Sequence, residues 1–124
     1  VGGSNLTPFN TPTEFSEDEI ETFLLEGIDK VKDAKFKIMV PHMPPKDTKI
    51  DIITAGAHVG SQSVRDFILK HKPDIALSGH IHEARGSDTI ESTLAFNAGM
   101  FREGGYVIIT ETPEGLSAEL KVLS

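Results

Sequence analysis

The spacing of apolar residues along the chain predicts two amphipathic helices. In the first, apolar side chains recur every three to four positions and predict a helix at about 17–32. These apolar positions are Ile20, Phe23, Leu24, Ile28 and Val31. Ser16 and Glu19 stand three residues apart at its start, which is the spacing of a capping box. The second helix is predicted at about 62–71, after Gly60-Ser61, with Val64, Phe67, Ile68 and Leu69 as its apolar face.

Short apolar runs between these helices, and after them, predict strands. They lie at about 35–40, 74–78 and 93–98, with a weaker candidate at 51–54. Residues 106–111 and 116–123 form a predicted hairpin around a turn at 112–115. Residues 1–15 are rich in Gly, Ser, Asn, Thr and Pro and predict a loop. The order of elements indicates an α/β fold with packed layers.

Composition narrows the class of protein. The 124 residues suit one domain with its own core, and the net charge of −7 argues against general nucleic-acid binding. The absence of cysteine excludes thiolate metal sites and fits a cytoplasmic location. Because there is no apolar run of membrane-spanning length, we expect no contact with a membrane. The first residue is Val1 rather than methionine, which suggests a processed chain or part of a longer protein.

The candidate chemistry lies in three histidines that follow predicted strands. His80 and His82 stand in Gly79-His80-Ile81-His82, directly after the strand at 74–78, and His42 follows the strand at 35–40. Imidazole is the commonest metal ligand among protein side chains. If the two strands are parallel neighbours, their carboxyl ends bring the three rings to one edge of the sheet. For each histidine alone, a hydrogen-bonded structural role is the alternative.

The remaining histidines give weaker signals. His71 stands between Lys70 and Lys72 at a helix end and predicts a surface residue. His58 precedes the second helix, and taken alone it is better explained as a helix-entry residue. Arg65 and Arg102 are expected to be surface or salt-bridge groups rather than phosphate clamps.

Several segments together resemble the C-terminal half of the calcineurin-like metallophosphoesterases, in their small archaeal and bacterial branch. The most specific are Val40-Pro41-His42-Met43-Pro44-Pro45 and Gly79-His80-Ile81-His82. Gly2-Gly3-Ser4-Asn5 and Gly56 to Ser61 also match, and Asn97-Ala98-Gly99 resembles an Asn-Pro-Gly motif with alanine in place of proline. The resemblance covers nearly all of the chain. It implies that residues 1–124 are the C-terminal part of a single domain, about half of a four-layer α/β/β/α sandwich whose N-terminal half is absent.

The resemblance also implies a site. It places His42 and His80 on the second of two divalent metals and His82 on the first, with Mn, Fe or Zn as candidates. His58 and Asn5, in two of the matching segments, are expected to bind the substrate, a phosphate ester. The implied reaction is hydrolysis of a phosphomonoester or phosphodiester by water that bridges the metals.

Three motifs of the family are missing from this chain: Asp-x-His, Gly-Asp and Asn-His. The catalytic residue and the bridging carboxylate are therefore absent, so we expect no catalytic residue in this half. Without a carboxylate between them, two divalent cations would repel each other strongly. We expect at most one metal in this chain and little or no activity for it alone. We also expect association with the missing N-terminal half or with a second copy.

Two alternatives remain open at this stage. A chain that lacks the upstream ligands would serve as a non-catalytic interaction module on the same fold. A single zinc held by three histidines, with an open fourth position, would make a simpler hydrolase.

Overall fold

A computed structural model describes residues 1–6 and 10–123 as a mixed α/β structure. Its strands are β1 (Ser4–Asn5), β2 (Glu14–Phe15), β3 (Ile38–Met39), β4 (Ile75–Ser78), β5 (Gly86–Ile90), β6 (Thr93–Asn97), β7 (Gly105–Thr112) and β8 (Gly115–Val122). Its helices are α1 (Glu17–Lys30) and α2 (Gln62–His71), with 3-10 turns at His82–Ala84 and Phe101–Glu103. The α/β class predicted from the sequence is confirmed; the four-layer arrangement and the domain assignment stay predictions.

The central sheet has the strand order β3-β4-β6-β5. β3, β4 and β6 are parallel, and β5 runs antiparallel at the edge beside β6. Ser78, the last residue of β4, pairs with Asn97, the last residue of β6. The carboxyl ends of these parallel strands therefore meet at one edge of the sheet, as the histidine pattern required.

Both helices pack against this sheet and enclose the core. Ile20 and Leu24 of α1 and Val64 and Ile68 of α2 are buried with Ala76 of β4 in one apolar cluster. Ser16 begins α1 with both hydrogen bonds of the predicted capping box. Among the described residues, neither helix has the length and apolarity needed to cross a membrane.

The element boundaries differ from the sequence prediction in informative places. The first helix ends at Lys30, two residues before the predicted limit, and only Ile38–Met39 of the predicted 35–40 strand pair with β4. The weak candidate at 51–54 is reduced to one bridge between Ile52 and His58. Residues 1–15 contain the two-residue strands β1 and β2 rather than loop alone.

Strand β5 was also absent from the prediction. β5 has the sequence Gly-Ser-Asp-Thr-Ile, with Ile90 as its one buried large apolar residue. It pairs with β6 through backbone hydrogen bonds at the edge of the sheet. Its sequence has no alternation of apolar and polar residues from which a strand could be predicted. The hairpin of β7 and β8 is confirmed, with Thr112 paired to Gly115 at its turn.

Candidate metal centre

Two of the predicted histidines meet beyond the carboxyl ends of β3 and β4. The backbone N–H of Gly79 donates to the carbonyl of His42 at 3.0 Å, which joins the two loops directly. His42 Nε2 then lies 3.2 Å from His80 Nδ1, and the ring centroids are 4.9 Å apart. The parallel pairing of the two strands is what brings these residues together, although they are 38 positions apart in the chain.

The backbone at His80 is in an unusual conformation. Its φ is +65°, in the left-handed region that residues other than glycine seldom occupy. The buried side chain of Ile81 follows at once, and the Ile81 N–H turns back to the Gly79 carbonyl at 2.7 Å. This tight turn directs the His80 ring toward His42, and the surrounding bonds hold the strained backbone in place.

Ser4 determines which nitrogen of His80 is available. The Ser4 hydroxyl donates its proton to the Asn5 carbonyl at 2.9 Å, so toward His80 Nε2, at 3.0 Å, it can only accept. His80 Nε2 therefore carries the proton, and the lone pair of the neutral ring is on Nδ1, facing His42. A metal-binding histidine is commonly oriented in this way by a hydrogen bond at its other nitrogen.

Both rings favour the neutral form that a metal requires. Burial lowers the pKa of His42 below its ordinary value, and the nearby His82 lowers it further. Burial is also the main cause that lowers the pKa of His80, followed by repulsion from His42 and His82, with Glu14 acting in the opposite direction. A neutral imidazole offers a lone pair, so the electrostatics of the pair suit a cation.

The spacing of the two nitrogens also fits a metal ion. Two imidazole nitrogens bound to one transition metal at 2.0–2.1 Å, with an angle between octahedral and tetrahedral, are about 3.0–3.4 Å apart. The 3.2 Å between His42 Nε2 and His80 Nδ1 lies within that range. The separation is therefore compatible with both nitrogens binding one cation.

His82 does not complete the set in this structure. It is exposed and begins the 3-10 turn after the buried Ile81, and its charge lowers the pKa of His42 and His80. Among residues 1–6 and 10–123, no group of three or more His, Asp or Glu side chains is arranged to hold a metal. The described residues therefore bring together two potential ligands, His42 and His80, which we call the half-site.

The side chain of Asn97 holds the loop of residues 79–82, which carries His80 and His82. Its buried side-chain amide donates to the carbonyl of Ile81 at 2.8 Å and to that of Ile50 at 3.1 Å. Its Oδ1 accepts from the Gly99 N–H at 3.0 Å, so all of its bonds are within the protein. The resemblance to the family included the Asn97-Ala98-Gly99 segment but implied no role for Asn97. That role required the end of β6 to lie beside the end of β4.

A second polar cluster centres on Asp51, which the sequence did not single out as functional. Asp51 is fully buried, and its carboxylate accepts from the backbone N–H groups of Asp47, Thr48 and Gly60 at 3.0 Å each. His58 Nδ1 lies 2.6 Å from its Oδ1. A side chain at Gly60 would meet the Pro44 carbonyl at 2.6 Å, so this close packing needs glycine. The approach of Gly60 to Asp51 is a contact of the folded chain, so no local pattern in the sequence indicated the cluster.

A cavity of about 510 Å³ connects the two clusters. His58 and His80 both line it, as does Asn5, whose Nδ2 donates to the Val59 carbonyl at 3.2 Å. Asn5 Oδ1 is buried and has no hydrogen-bond partner in the described part of the chain. The structure thus brings His58 and Asn5 to the same space as His80, while their role in substrate binding stays a prediction.

His71 differs from its predicted surface position. It is half-buried at the end of α2, where its ring packs against Phe67 at a centroid distance of 4.5 Å. It lines neither the cavity shared by His58 and His80 nor the half-site, and so is suited as a control histidine.

Comparison with known proteins gives the class to which this fold and site belong. The profile of a family described as metallophosphoesterase, calcineurin superfamily, matches residues 12–119. The chain therefore belongs to the calcineurin superfamily of metallophosphoesterases, as its sequence motifs indicated. That description names a class of protein and specifies neither a substrate nor a metal.

The chain is also similar to individual proteins. The chain is 44% identical over 101 residues to the uncharacterised protein MJ1162 of Methanocaldococcus jannaschii, a match that covers 78% of this chain and 45% of that protein. One solved structure matches with a TM-score of 0.73 at 21% identity, over 99% of this chain and 47% of its own. The crystal structure of TT1561 from Thermus thermophilus matches with a TM-score of 0.55 at 16% identity, over 98% and 49%. The chain thus spans about half the length of these relatives, and the two structures support the fold alone.

Proposed function

We propose that the protein containing this chain hydrolyses phosphate esters with divalent transition metals, and that His42 and His80 bind one of them. The observation that carries the proposal is the 3.2 Å approach of His42 Nε2 to His80 Nδ1, with both rings favouring the neutral form. A metal held there would stabilise negative charge on phosphate oxygens and provide a nucleophile from water. The ligand set suits Mn, Fe or Zn.

This chain's own residues would position the site and the substrate. The Ser4 hydroxyl accepts a hydrogen bond from His80 Nε2, and the Asn97 amide donates one to the backbone carbonyl of Ile81, between His80 and His82. We propose that His82 joins a second metal and that the carboxylate ligands come from outside residues 1–124. His58 and Asn5, which line the cavity beside His80, would contact the ester. This division of the site predicts low activity for the chain alone.

The first experiment compares this chain with the longest protein that contains it. Hydrolysis of bis(p-nitrophenyl) phosphate and of p-nitrophenyl phosphate would be measured with Mn²⁺, Fe²⁺ and Zn²⁺. We expect activity in the longer protein and its loss in His80→Ala, with His71→Ala unchanged as the matched control. Absence of both hydrolysis and metal binding in the longer protein would contradict the proposal.

A second function, a non-catalytic interaction module, is favoured by two observations. The described residues supply only two clustered ligands, and the edge strand β3 exposes Ile38 at 46%, with Val40 beyond its end at 60%. An apolar edge of this kind favours association with another polypeptide segment. Light scattering separates the two cases, because a monomer of the longer protein that binds no metal would support the module.

The single-zinc alternative requires His82 to join His42 and His80. In the structure His82 is exposed and outside the pair. Zinc titration of this chain tests it, since one zinc per chain that is lost in both His80→Ala and His82→Ala would favour it.

A further inference from the structure

The cavity lined by His80 also contains a positively charged side chain to which the proposed reaction gives no role. Lys46 is partly buried on the wall of this cavity, which measures about 510 Å³. Among the described residues of the wall, Lys46 is the one whose side chain carries a permanent positive charge. Because the chain as a whole has a net charge of −7, this lysine makes the cavity locally more favourable for an anionic group than the surrounding surface.

The ammonium group of Lys46 is available for a ligand. It forms no ion pair or hydrogen bond with residues 1–6 or 10–123. Glu17, the acidic residue on the same wall, is engaged elsewhere: its carboxylate accepts from the Ser61 hydroxyl at 2.7 Å and from the Ser63 N–H at 2.9 Å. Both donors lie at the start of α2, where the helix dipole further stabilises that carboxylate. The positive charge on the wall therefore remains uncompensated within the described part of the chain.

The backbone of Lys46 is fixed on both sides. Its N–H donates to the Ser61 carbonyl at 3.1 Å, and its own carbonyl accepts from Arg65 Nη1 at 2.9 Å. Arg65 Nη1 also donates to the Asp47 carbonyl at 3.1 Å, so this arginine supports the loop backbone rather than forming the salt bridge expected for it. Only the side chain of Lys46 is then free to adjust to a ligand.

A short and rigid segment joins Lys46 to the half-site. Between His42 and Lys46 lie only Met43, Pro44 and Pro45, and all three are fully buried. Four residue steps span at most about 14 Å, and the two proline rings restrict the backbone further. A phosphate group at His42 and His80 would therefore leave Lys46 within reach of another part of the same small molecule.

We propose that Lys46 binds a second anionic group of the substrate, so that the preferred substrate is a phosphate ester whose alcohol carries a carboxylate or a further phosphate. This proposal rests on the function proposed above and concerns which ester is preferred. Carboxylate and phosphate oxygens accept strong, charge-assisted hydrogen bonds from an ammonium group. Ile53 and Val59, on the same wall, would contact the carbon skeleton between the two anionic groups.

The test compares substrates that differ only in the second group. Glycerol 3-phosphate and 3-phosphoglycerate share a carbon skeleton, and the second has a carboxylate where the first has a hydroxymethyl group. Propyl phosphate and propane-1,3-diyl bisphosphate form the corresponding pair for a second phosphate. Release of inorganic phosphate would be measured for each in the longer protein. We expect a higher kcat/KM for the anionic member of at least one pair, and that pair identifies the second group.

Replacement of the ammonium group should abolish this preference. Lys46→Met keeps most of the side-chain length and removes the charge. For the preferred substrate its KM should rise about 10–100-fold with kcat little changed, because the lost bond holds a part of the substrate that does not react. For the partner without a second anionic group, KM should change less than about twofold. Lys46→Arg should keep the preference.

Lys49→Met is the matched control. Lys49 is exposed in the same loop and does not line the cavity of Lys46, so its replacement should leave both substrates of a pair unaffected. Equal losses in Lys49→Met and Lys46→Met would assign the effect to the general field of the protein and contradict the proposal.

The remaining outcomes separate this proposal from the proposed function. A wild-type protein that hydrolyses none of the four esters contradicts the proposed function. A wild-type protein that hydrolyses both members of each pair equally well contradicts the second anionic group alone. The same conclusion follows if Lys46→Met weakens both members of the preferred pair to the same extent.

Reversal of the charge gives a further test. In Lys46→Glu the preference should shift toward O-phosphoethanolamine, an ester whose alcohol carries a cationic amine. The ratio of kcat/KM for O-phosphoethanolamine to that for the anionic substrate should rise about 100-fold or more relative to the wild type. An unchanged ratio would overturn a direct contact between Lys46 and the second group.

Discussion

The side-chain amide of Asn97 donates a hydrogen bond of 2.8 Å to the carbonyl of Ile81, the residue between His80 and His82. A second bond, to the Ile50 carbonyl, ties the same amide to the loop of Asp51 and His58. Asn97 is fully buried at the end of β6. One side chain thus sets the relative position of the two loops that carry the candidate site.

Removal of this amide should destabilise the fold. Asn97→Ala leaves the carbonyls of Ile50 and Ile81 without their donor in a buried environment, which costs roughly 2–4 kcal/mol. Urea unfolding measures the loss. The matched control is Gln62→Ala, an exposed amide, which should change the free energy of unfolding by less than about 0.5 kcal/mol. An equal effect of the two substitutions would show that the hydrogen bonds of Asn97 contribute no more to the free energy of unfolding than an exposed amide does.

Ser4 should matter for metal affinity more than for stability. Its hydroxyl holds the Nε2 proton of His80, and loss of such a supporting bond typically weakens metal binding by about 10–100-fold. Calorimetric titration of Ser4→Ala with Mn²⁺ or Zn²⁺ measures the change. Ser87→Ala, at an exposed position on β5, should bind as the wild type does. Unchanged affinity in Ser4→Ala would place the metal ligand elsewhere than His80 Nδ1.

Stability of the metal-free protein should fall as the pH falls below about 6.5. Folding lowers the pKa of His42 and His80 from 6.5, chiefly through burial. Between the lowered values and 6.5 the unfolded chain binds more protons than the folded chain, so stability rises with pH in that window. Thermal unfolding midpoints from pH about 5 to 8 measure it.

A variant identifies the source of this pH dependence. In His42→Asn/His80→Asn the slope between pH about 5 and 6.5 should flatten. The contribution of Glu83 to the pH dependence falls in a different range. Hydrogen bonds from Thr54 lower its pKa from 4.5, so Glu83 loses its stabilising effect only at more acidic pH. A slope that persists in the double variant would assign the effect to other groups.

Asn5 should affect substrate binding rather than the chemical step. Its Oδ1 is a buried acceptor without a partner in the described residues, and the residue lines the cavity that His58 and His80 share. Asn5→Leu keeps the branched shape and removes the acceptor together with the Nδ2 donor to the Val59 carbonyl, so KM for the phosphate ester should rise about tenfold with kcat little changed. Steady-state kinetics of the longer protein decide it. A fall in kcat alone would instead place Asn5 in the chemistry.

The sequence by itself determined the local elements and the family. Helix α1 with its capping box, helix α2 and the β7–β8 hairpin follow from short-range spacing, because periodicity and capping act within a few residues. Strand β5 escaped prediction because its pairing with β6 depends on backbone bonds and not on an apolar pattern. The motifs around His42 and His80 indicated the superfamily that the profile match confirms.

Only the tertiary structure decided which residues meet. The parallel pairing of β3 with β4 brings His42 to His80, whereas the turn after the buried Ile81 leaves His82 outside the pair. The Asp51–His58 pair and its connection through Asn97 join segments far apart in the chain. Such contacts depend on strand register and on the satisfaction of buried polar groups, which the order of residues does not reveal until the chain is folded.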